Sequence, residues 1–280
     1  MEPKLQRRVQ RYGWDLAASD YEPLWQRHLG VAHARLLEAL APRPGERVLD
    51  VACGTGLVTL AAAHAVGTGG AVVGVDISGR MVESAVQQAG ARGVLNASFA
   101  RMDAEGLDFA DALFDVVLCA LGLMYVPDPA RAMAEMRRVV RPGGRIGVVV
   151  WGERHRCGWA PALAIVDAEV TSDVCPLFFR LGGEGELRRL CVDAGLEPGV
   201  EQRLPVMLDY DDGDQACRAA FVGGPVALAW SRFDAAARAR VCASYARAIA
   251  PWRDGEGYRV PSEFVVVTAT SPSTRDADSS

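Results

Sequence analysis

Between residues 45 and 152 short apolar runs alternate with longer stretches of helical period, and turn residues separate them. Residues 47–51, 71–75, 97–100, 114–119 and 145–151 read as strands, with helices predicted over 57–65, 78–89 and 129–140. Ser78 stands where an N-cap belongs, because its hydroxyl can take up a free N–H of the first turn. Arg141-Pro142-Gly143-Gly144 is a turn signal just before the fifth run. The strands are apolar along their length instead of alternating, as a sheet covered on both faces requires. Strands that alternate with helices then imply a parallel sheet with right-handed crossovers.

The flanks are less regular. Upstream, Ser19-x-x-Glu22 forms a capping-box pattern with Pro23 in the first turn, and Leu24, His28, Val31, Leu36 and Leu40 share one helical face. Downstream, a helix is expected over 186–194, stopped by Gly195, and a strand over 201–210. Asp234 caps a helix running to residue 250, where Pro251 stops it, and residues 263–269 form a final strand. Apart from Pro272 and Ala277 the last ten residues are polar or charged, and they are expected to be disordered. The expected organisation is a helical lid segment (1–44), a core (45–152), a C-terminal half completing the sheet and building a cap (153–270), and a tail (271–280).

Charge and composition narrow the function classes. The formal net charge is −5, which argues against a nucleic-acid partner, since binding one needs a basic face. No apolar run approaches the roughly 18 residues of a membrane span, and no apolar stretch follows the basic N-terminal residues, so no secretory signal is expected. The seven cysteines are scattered, odd in number and without a C-x-x-C, which favours reduced thiols in the cytoplasm over a disulfide framework or zinc site. The four histidines lack metal spacing.

The chemistry concentrates in Val48-Leu49-Asp50-Val51-Ala52-Cys53-Gly54-Thr55-Gly56, a strand followed by a glycine turn that opens a helix. Such a turn lets backbone approach a ligand, and the helix start offers free N–H groups. Asp76 ends the second strand, 20 residues beyond Gly56, where a carboxylate can accept from both hydroxyls of a ribose. Two features oppose a dinucleotide. Thr59 occupies the place of the third fingerprint glycine, and Asp50 would repel a pyrophosphate but attract a cationic amino-acid moiety.

These pieces resemble the class I S-adenosylmethionine-dependent methyltransferases, in the branch similar to the ubiquinone/menaquinone C-methyltransferases. The matching segments are VLDVACGTG (48–56), GVDIS (74–78), MDAEGLDF (102–109), FDVVLCALGLMYVPDP (114–129) and VVRPGGRIGVVVWG (139–152). The resemblance implies a Rossmann-like, doubly wound seven-stranded α/β sheet with its last strand antiparallel and cap insertions at 153–185 and 211–258. It implies that Asp50, Gly54 and Gly56 cradle the methionine part of S-adenosyl-L-methionine, with Ala52 and Thr55 completing the loop. Asp76 would hold the ribose, Ile77 and Met81 would pack near the adenine, and Asp103 and the Ala104 backbone would meet the adenine edge. Cys119 and Leu121 would lie beside the sulfonium, and Tyr21 would fold over the cofactor, with Trp14 and Trp25 as further lid candidates.

The expected reaction is methyl transfer to an O, N or C atom of a small, largely apolar molecule. Tyr125 and His155 are the nearest candidates for a base, His155 because it follows the fifth strand. Segment 121–127 lacks the Asn/Asp-Pro-Pro-aromatic pattern of base amino-group methylation, and no dense Lys/Arg run is expected at the pocket mouth. Trp159, Leu163, Phe178, Phe179, Phe221 and Trp230 are the apolar residues expected to serve the acceptor. The alternatives are a nicotinamide-dependent oxidoreductase, a non-catalytic cofactor binder, or a metalloid or thiol methyltransferase.

Overall fold

The computed structural model describes residues 3–170 and 178–273. The core alternates as the apolar pattern requires: β1 (Arg47–Val51), α2 (Leu57–Val66), β2 (Ala71–Asp76), α3 (Gly79–Ala91), β3 (Ala97–Arg101), β4 (Phe114–Ala120), α4 (Pro129–Val139) and β5 (Val140–Trp151), preceded by α1 (Pro3–Leu40). Beyond it come α5 (Pro161–Val170), α6 (Glu186–Asp193), β6 (Glu197–Pro198), β7 (Gln202–Tyr210), α7 (Gly213–Phe221), α8 (Ala227–Arg232), α9 (Ala235–Ile249), β8 (Arg253–Asp254) and β9 (Gly257–Thr270).

The sheet runs β3-β2-β1-β4-β5-β9-β6, with β7 and β8 also paired to β9. β1 to β5 are mutually parallel, whereas β9 lies antiparallel to β5. β6 and β7 follow one another along the outer edge of the 14-residue β9, interrupted near Gly199, and β8 is the short arm of a hairpin through Gly255. The nine strand segments thus fill the seven expected places across the sheet. Strand order reverses between β1 and β4, and the crevice at their carboxyl ends is where open α/β sheets place ligands.

Local chemistry accounts for the boundaries. The Ser78 hydroxyl accepts from Met81 N at 3.1 Å, and Asp234 caps α9 through Ala237 N at 2.7 Å. Arg141–Gly144 lies inside β5 as an irregularity, where the register with β4 shifts between Phe114 and Val116.

Three expectations need correction. Ser19-x-x-Glu22 starts no helix: α1 runs unbroken for 38 residues with Pro23 inside it. The Ser19 hydroxyl bonds to Asp20, and Glu22 reaches instead to Gln88 and Arg92 on α3. Pro23 removes one helical hydrogen bond, a cost offset by burial of Ala17, Leu24, Trp25, Leu29, Ala32, Leu36 and Leu40; Val31 faces outward. The cysteines are not all reduced. Cys217 on α7 and Cys242 on α9 form a disulfide, while Cys53, Cys119, Cys157 and Cys191 are free and buried. Sequence spacing hides this pair, because two helices 25 residues apart meet only in the tertiary fold. Finally, the expected tail does not begin at Ser271, which is buried and exchanges backbone hydrogen bonds with Gly143 and Gly144; residues 274–280 lie outside the described residues.

Candidate functional site

At the end of β1 the chain enters the loop 52–56, in which Ala52, Gly54 and Gly56 all have positive φ (59°, 54° and 86°). Alanine rarely takes this conformation, and Leu121 beyond β4 shares it (φ 60°), so strain gathers on both sides of the crevice. The two loops touch. A Cβ on Gly122 would come within 2.3 Å of the Ala52 Cβ, so only glycine fits there.

Two buried carboxylates flank the loop. Asp76 accepts from Gly54 N at 2.9 Å through one oxygen and from Ser78 N at 2.8 Å through the other, bracing the loop from the end of β2. Asp50 is fully buried and accepts from the Thr59 hydroxyl at 2.6 Å, while its Oδ1 has no partner. Thr59 therefore serves the carboxylate where a dinucleotide fold would have glycine. Burial raises the Asp50 carboxyl to about 7 and Asp76 to about 6, against the backbone and hydroxyl donors that stabilise their charged forms. A cationic group placed here would restore both to the charged state.

Three cavities meet over this loop. The first, of about 710 Å³, is lined at one end by Ile77, Met81, Met102, Asp103 and Ala104 and at the other by Ala120, Leu121, Gly122, Tyr125, Val126 and Pro127. Ala52, Gly54 and Asp76 form its floor, and Arg7, Gln10, Trp14 and Tyr21 of α1 close it. The second, of about 400 Å³, shares Trp14, Tyr21, Leu121 and Tyr125 with the first and extends to Trp25, Leu29, Trp151, Trp159, Ala220 and Gly223–Pro225. The third and smallest, about 280 Å³, holds Asp50, Thr55 and His33 under Tyr21. The Thr55 hydroxyl, like Asp50 Oδ1, is buried without a partner. Burial lowers the His33 imidazole to about 4, so it stands neutral there at physiological pH.

The structure brings most of the sequence-derived candidates together: Tyr21, Ala52, Gly54, Asp76, Ile77, Met81, Asp103, Ala104, Leu121 and Tyr125 line the first cavity, and Asp50 and Thr55 the third. Tyr21 stands at the junction of all three, where burial and the two aspartates hold its phenol protonated. Asp103 also accepts from Glu105 N and pairs with Arg7 at 3.2 Å, so it shapes its own turn as well. Gly56 caps α2 against Ala85 and Phe99 and lines none of these cavities. Cys119 lies behind the wall, buried, its thiol pushed up to about 12 by burial. His155 is not brought to the crevice: it sits on an exposed turn, 3.9 Å from Glu153.

Arg7 and Gln10 escaped the sequence reading, whereas Trp14 lines the first cavity as a lid residue should. Arg7, Gln10 and Trp14 share one stripe of α1 with Tyr21 and Trp25, at spacings close to whole helical turns. That periodicity is visible in the sequence, but the expected helix start at Ser19 hid it. The acceptor residues also need correction. Phe178 is buried behind Tyr125 and Trp159, and Phe179 packs on Trp159. Trp230 stacks on Phe221, and Phe221 meets Tyr245, tying α7, α8 and α9 together. Of the six expected residues only Trp159 lines the aromatic cavity. Lys4, Arg7, Arg8, Arg11 and Arg101 do form a basic groove beside the mouth, contrary to the charge distribution expected there.

Comparison with known proteins agrees with this geometry. Residues 48–144 match the family model described as methyltransferase domain. The chain is similar to aklanonic acid methyltransferase DauC of Streptomyces sp. strain C5, 37% identical over 135 residues, 48% of this chain and 60% of that one. It is similar to the ubiquinone/menaquinone biosynthesis C-methyltransferase UbiE of Shewanella frigidimarina, 36% identical over 136 residues, 48% of this chain and 51% of that one. The chain spans about half the length of the curated relatives it matches. The fold is shared with YcgJ of Bacillus subtilis (TM-score 0.63, 20% identity, covering 87% of this chain and 99% of that one). Residues 48–144 of this chain are thus similar to the methyltransferase-domain family and to the matching parts of these two methyltransferases.

Proposed function

We propose that this chain transfers the methyl group of S-adenosylmethionine to a small, largely apolar acceptor. The observation that carries this reading is the buried Asp50, with one oxygen unpartnered, beside Asp76 and a strained loop at the point where strand order reverses. An unpaired buried carboxylate costs several kcal/mol unless a cation or donor meets it. An α-amino group meets that need and a pyrophosphate does not. In this reading Asp50, Thr55, Ala52 and Gly54 hold the methionine part, and Gly56 sets the loop. Asp76 accepts from the ribose, Ile77 and Met81 flank the adenine, and Asp103 and Ala104 meet its edge.

When bound, the sulfonium supplies a methyl group already activated by positive charge, so the protein's work is alignment and exclusion of water. Tyr21 and Trp14 close the site from α1, Leu121 supports the reacting end, and Tyr125 faces both larger cavities. Cys119 braces that wall from behind. Of the two candidate bases, Tyr125 stays in the proposal and His155 leaves it.

The relatives named for aklanonic acid and for ubiquinone/menaquinone biosynthesis favour a small-molecule acceptor. The described free thiols are buried and raised, which disfavours paired thiolates for a metalloid. Among the described residues no helix is long and apolar enough to cross a membrane, and residence in the cytoplasm forms part of the proposal. Isothermal titration tests the reading: S-adenosylmethionine and S-adenosylhomocysteine should bind and NAD should not. Binding of NAD alone would overturn it. The basic groove favours a second reading, a nucleic-acid acceptor. Salt-sensitive binding of tRNA or duplex DNA together with methyl incorporation into it would select that one.

A further inference from the structure

The outward side of α1 carries large apolar side chains in a row near the N-terminus. Leu5, Tyr12 and Leu16 are 40%, 46% and 48% exposed, and they make up three of the nine large hydrophobic side chains exposed among the described residues. At about 100° per residue they fall within about 40° of one another, so they form one stripe. Arg7, Gln10, Trp14 and Tyr21, which close the first cavity, lie on the opposite side of the same helix.

A second stripe runs beside the apolar one. Lys4, Arg8 and Arg11 line the basic groove, and Arg101 joins them from the end of β3. Among the described residues none of these four pairs with a carboxylate. The nearby Asp15 is taken up by the Ser78 hydroxyl and by Arg80 N. The first turn of α1 holds no acidic residue, so like charges at spacings of three and four repel one another at the positive end of the helix dipole. That arrangement is unfavourable in free solution, and an anionic surface relieves it. Cations alone suit any polyanion. Exposed leucines and a tyrosine beside them suit a bilayer interface, where apolar side chains enter the headgroup region and cations meet anionic lipid. The Arg11 guanidinium already lies over the Tyr12 ring, 4.5 Å from its centroid, a pair suited to that depth.

We infer that residues 4–16 of α1 dock on an anionic lipid bilayer, lying along its surface without crossing it. Leu5, Tyr12 and Leu16 enter the interface, and Lys4, Arg8, Arg11 and Arg101 face the anionic headgroups. Docking bears on the cover of the first cavity, because one side of the helix meets lipid while the other closes that space. At Gly13 the helix also approaches Pro225 and Leu228, so the turn 223–225 that lines the aromatic cavity lies beside the docked face. The inference holds whichever acceptor is methylated.

The test is co-sedimentation of the full chain with vesicles of phosphatidylcholine alone and of phosphatidylcholine with about one-third phosphatidylglycerol. Binding to the anionic vesicles should exceed binding to the neutral ones about tenfold or more, and rising salt should release the chain. Free glycerol phosphate at millimolar concentration should not compete, because a surface and not a single headgroup is bound. Arg8→Gln with Arg11→Gln should weaken binding about twentyfold, at about fivefold per cation. Leu5→Ser with Leu16→Ser should weaken it about tenfold or more, which charge attraction alone does not predict. Circular dichroism and melting temperature show whether each variant is folded. Failure of the native chain to bind anionic vesicles overturns the inference without recourse to a variant, as does equal binding to neutral ones. Full competition by glycerol phosphate, or unchanged binding by either folded variant, also overturns it. Salt-sensitive binding of tRNA without vesicle binding would assign the groove to nucleic acid instead.

Discussion

Asp50 shows how one residue trades stability for binding. In the folded protein its carboxyl is raised to about 7 from 3.8, because burial outweighs the Thr59 hydrogen bond. Between these values the native state holds a proton that the unfolded chain has released. Stability of the free protein therefore falls as pH rises from about 4 to about 7. Asp50→Asn removes that penalty, so at pH 8 its thermal or denaturant unfolding should show a gain on the order of 1–3 kcal/mol, with little change at pH 4. The same variant should bind S-adenosylmethionine more weakly, and the native affinity should decline below about pH 7; titration at pH 5.5 and 8 measures both. Asp76→Ala should weaken cofactor binding by about 1–3 kcal/mol and also loosen the loop, since Gly54 N and Ser78 N lose their acceptor.

At the scale of elements, α1 is both a core helix and the cover of the site. Its first turns are pinned by Arg7, which pairs with Asp103 and with the nearly buried Glu105; Glu105 in turn accepts from the Asp128 backbone ahead of α4. Arg7→Ala leaves Glu105 without its cation. The expected cost is about 1–3 kcal/mol, with faster protease cleavage near the N-terminus and weaker cofactor binding. Unchanged cleavage would mean that packing of Trp14 and Tyr21 holds the cover by itself. The Cys217–Cys242 bridge closes a 25-residue separation, for which the chain-entropy estimate is about 3.5 kcal/mol. Reduction should lower the melting temperature yet barely alter cofactor affinity, because no residue of α7 or α9 lines the first cavity. Acceptor binding is more exposed to it, since Ala220 lies at the end of α7 and in the aromatic wall.

For the whole molecule, the reversal of strand order between β1 and β4 fixes where a ligand binds, and α1 crosses that crevice. A ligand that binds only the native state should stabilise it by about 2.7 kcal/mol at a hundredfold excess over Kd, a rise of several degrees in melting temperature. S-adenosylhomocysteine should produce that rise and NAD should not.

The core was legible in the sequence because its signals are local. Apolar runs such as 47–51 and 114–119 form strands wherever they lie, and the loop 52–56 carries its chemistry in consecutive residues. Asp50, Gly54 and Asp76 were readable for that reason. What the tertiary structure decided depends on residues distant in the chain. Pro23 reads as a helix start until packing on the sheet outweighs its missing N–H. Cys217 and Cys242 carry no local sign of each other. Trp159 could be chosen over Phe178, Phe179 and Trp230 only once α1, β5 and the turn after α7 were seen to enclose one space. Aromatic residues packing a cap and aromatic residues lining a cavity have the same composition and period, and which side of the wall each ring faces is set by contacts between segments that sequence alone does not join.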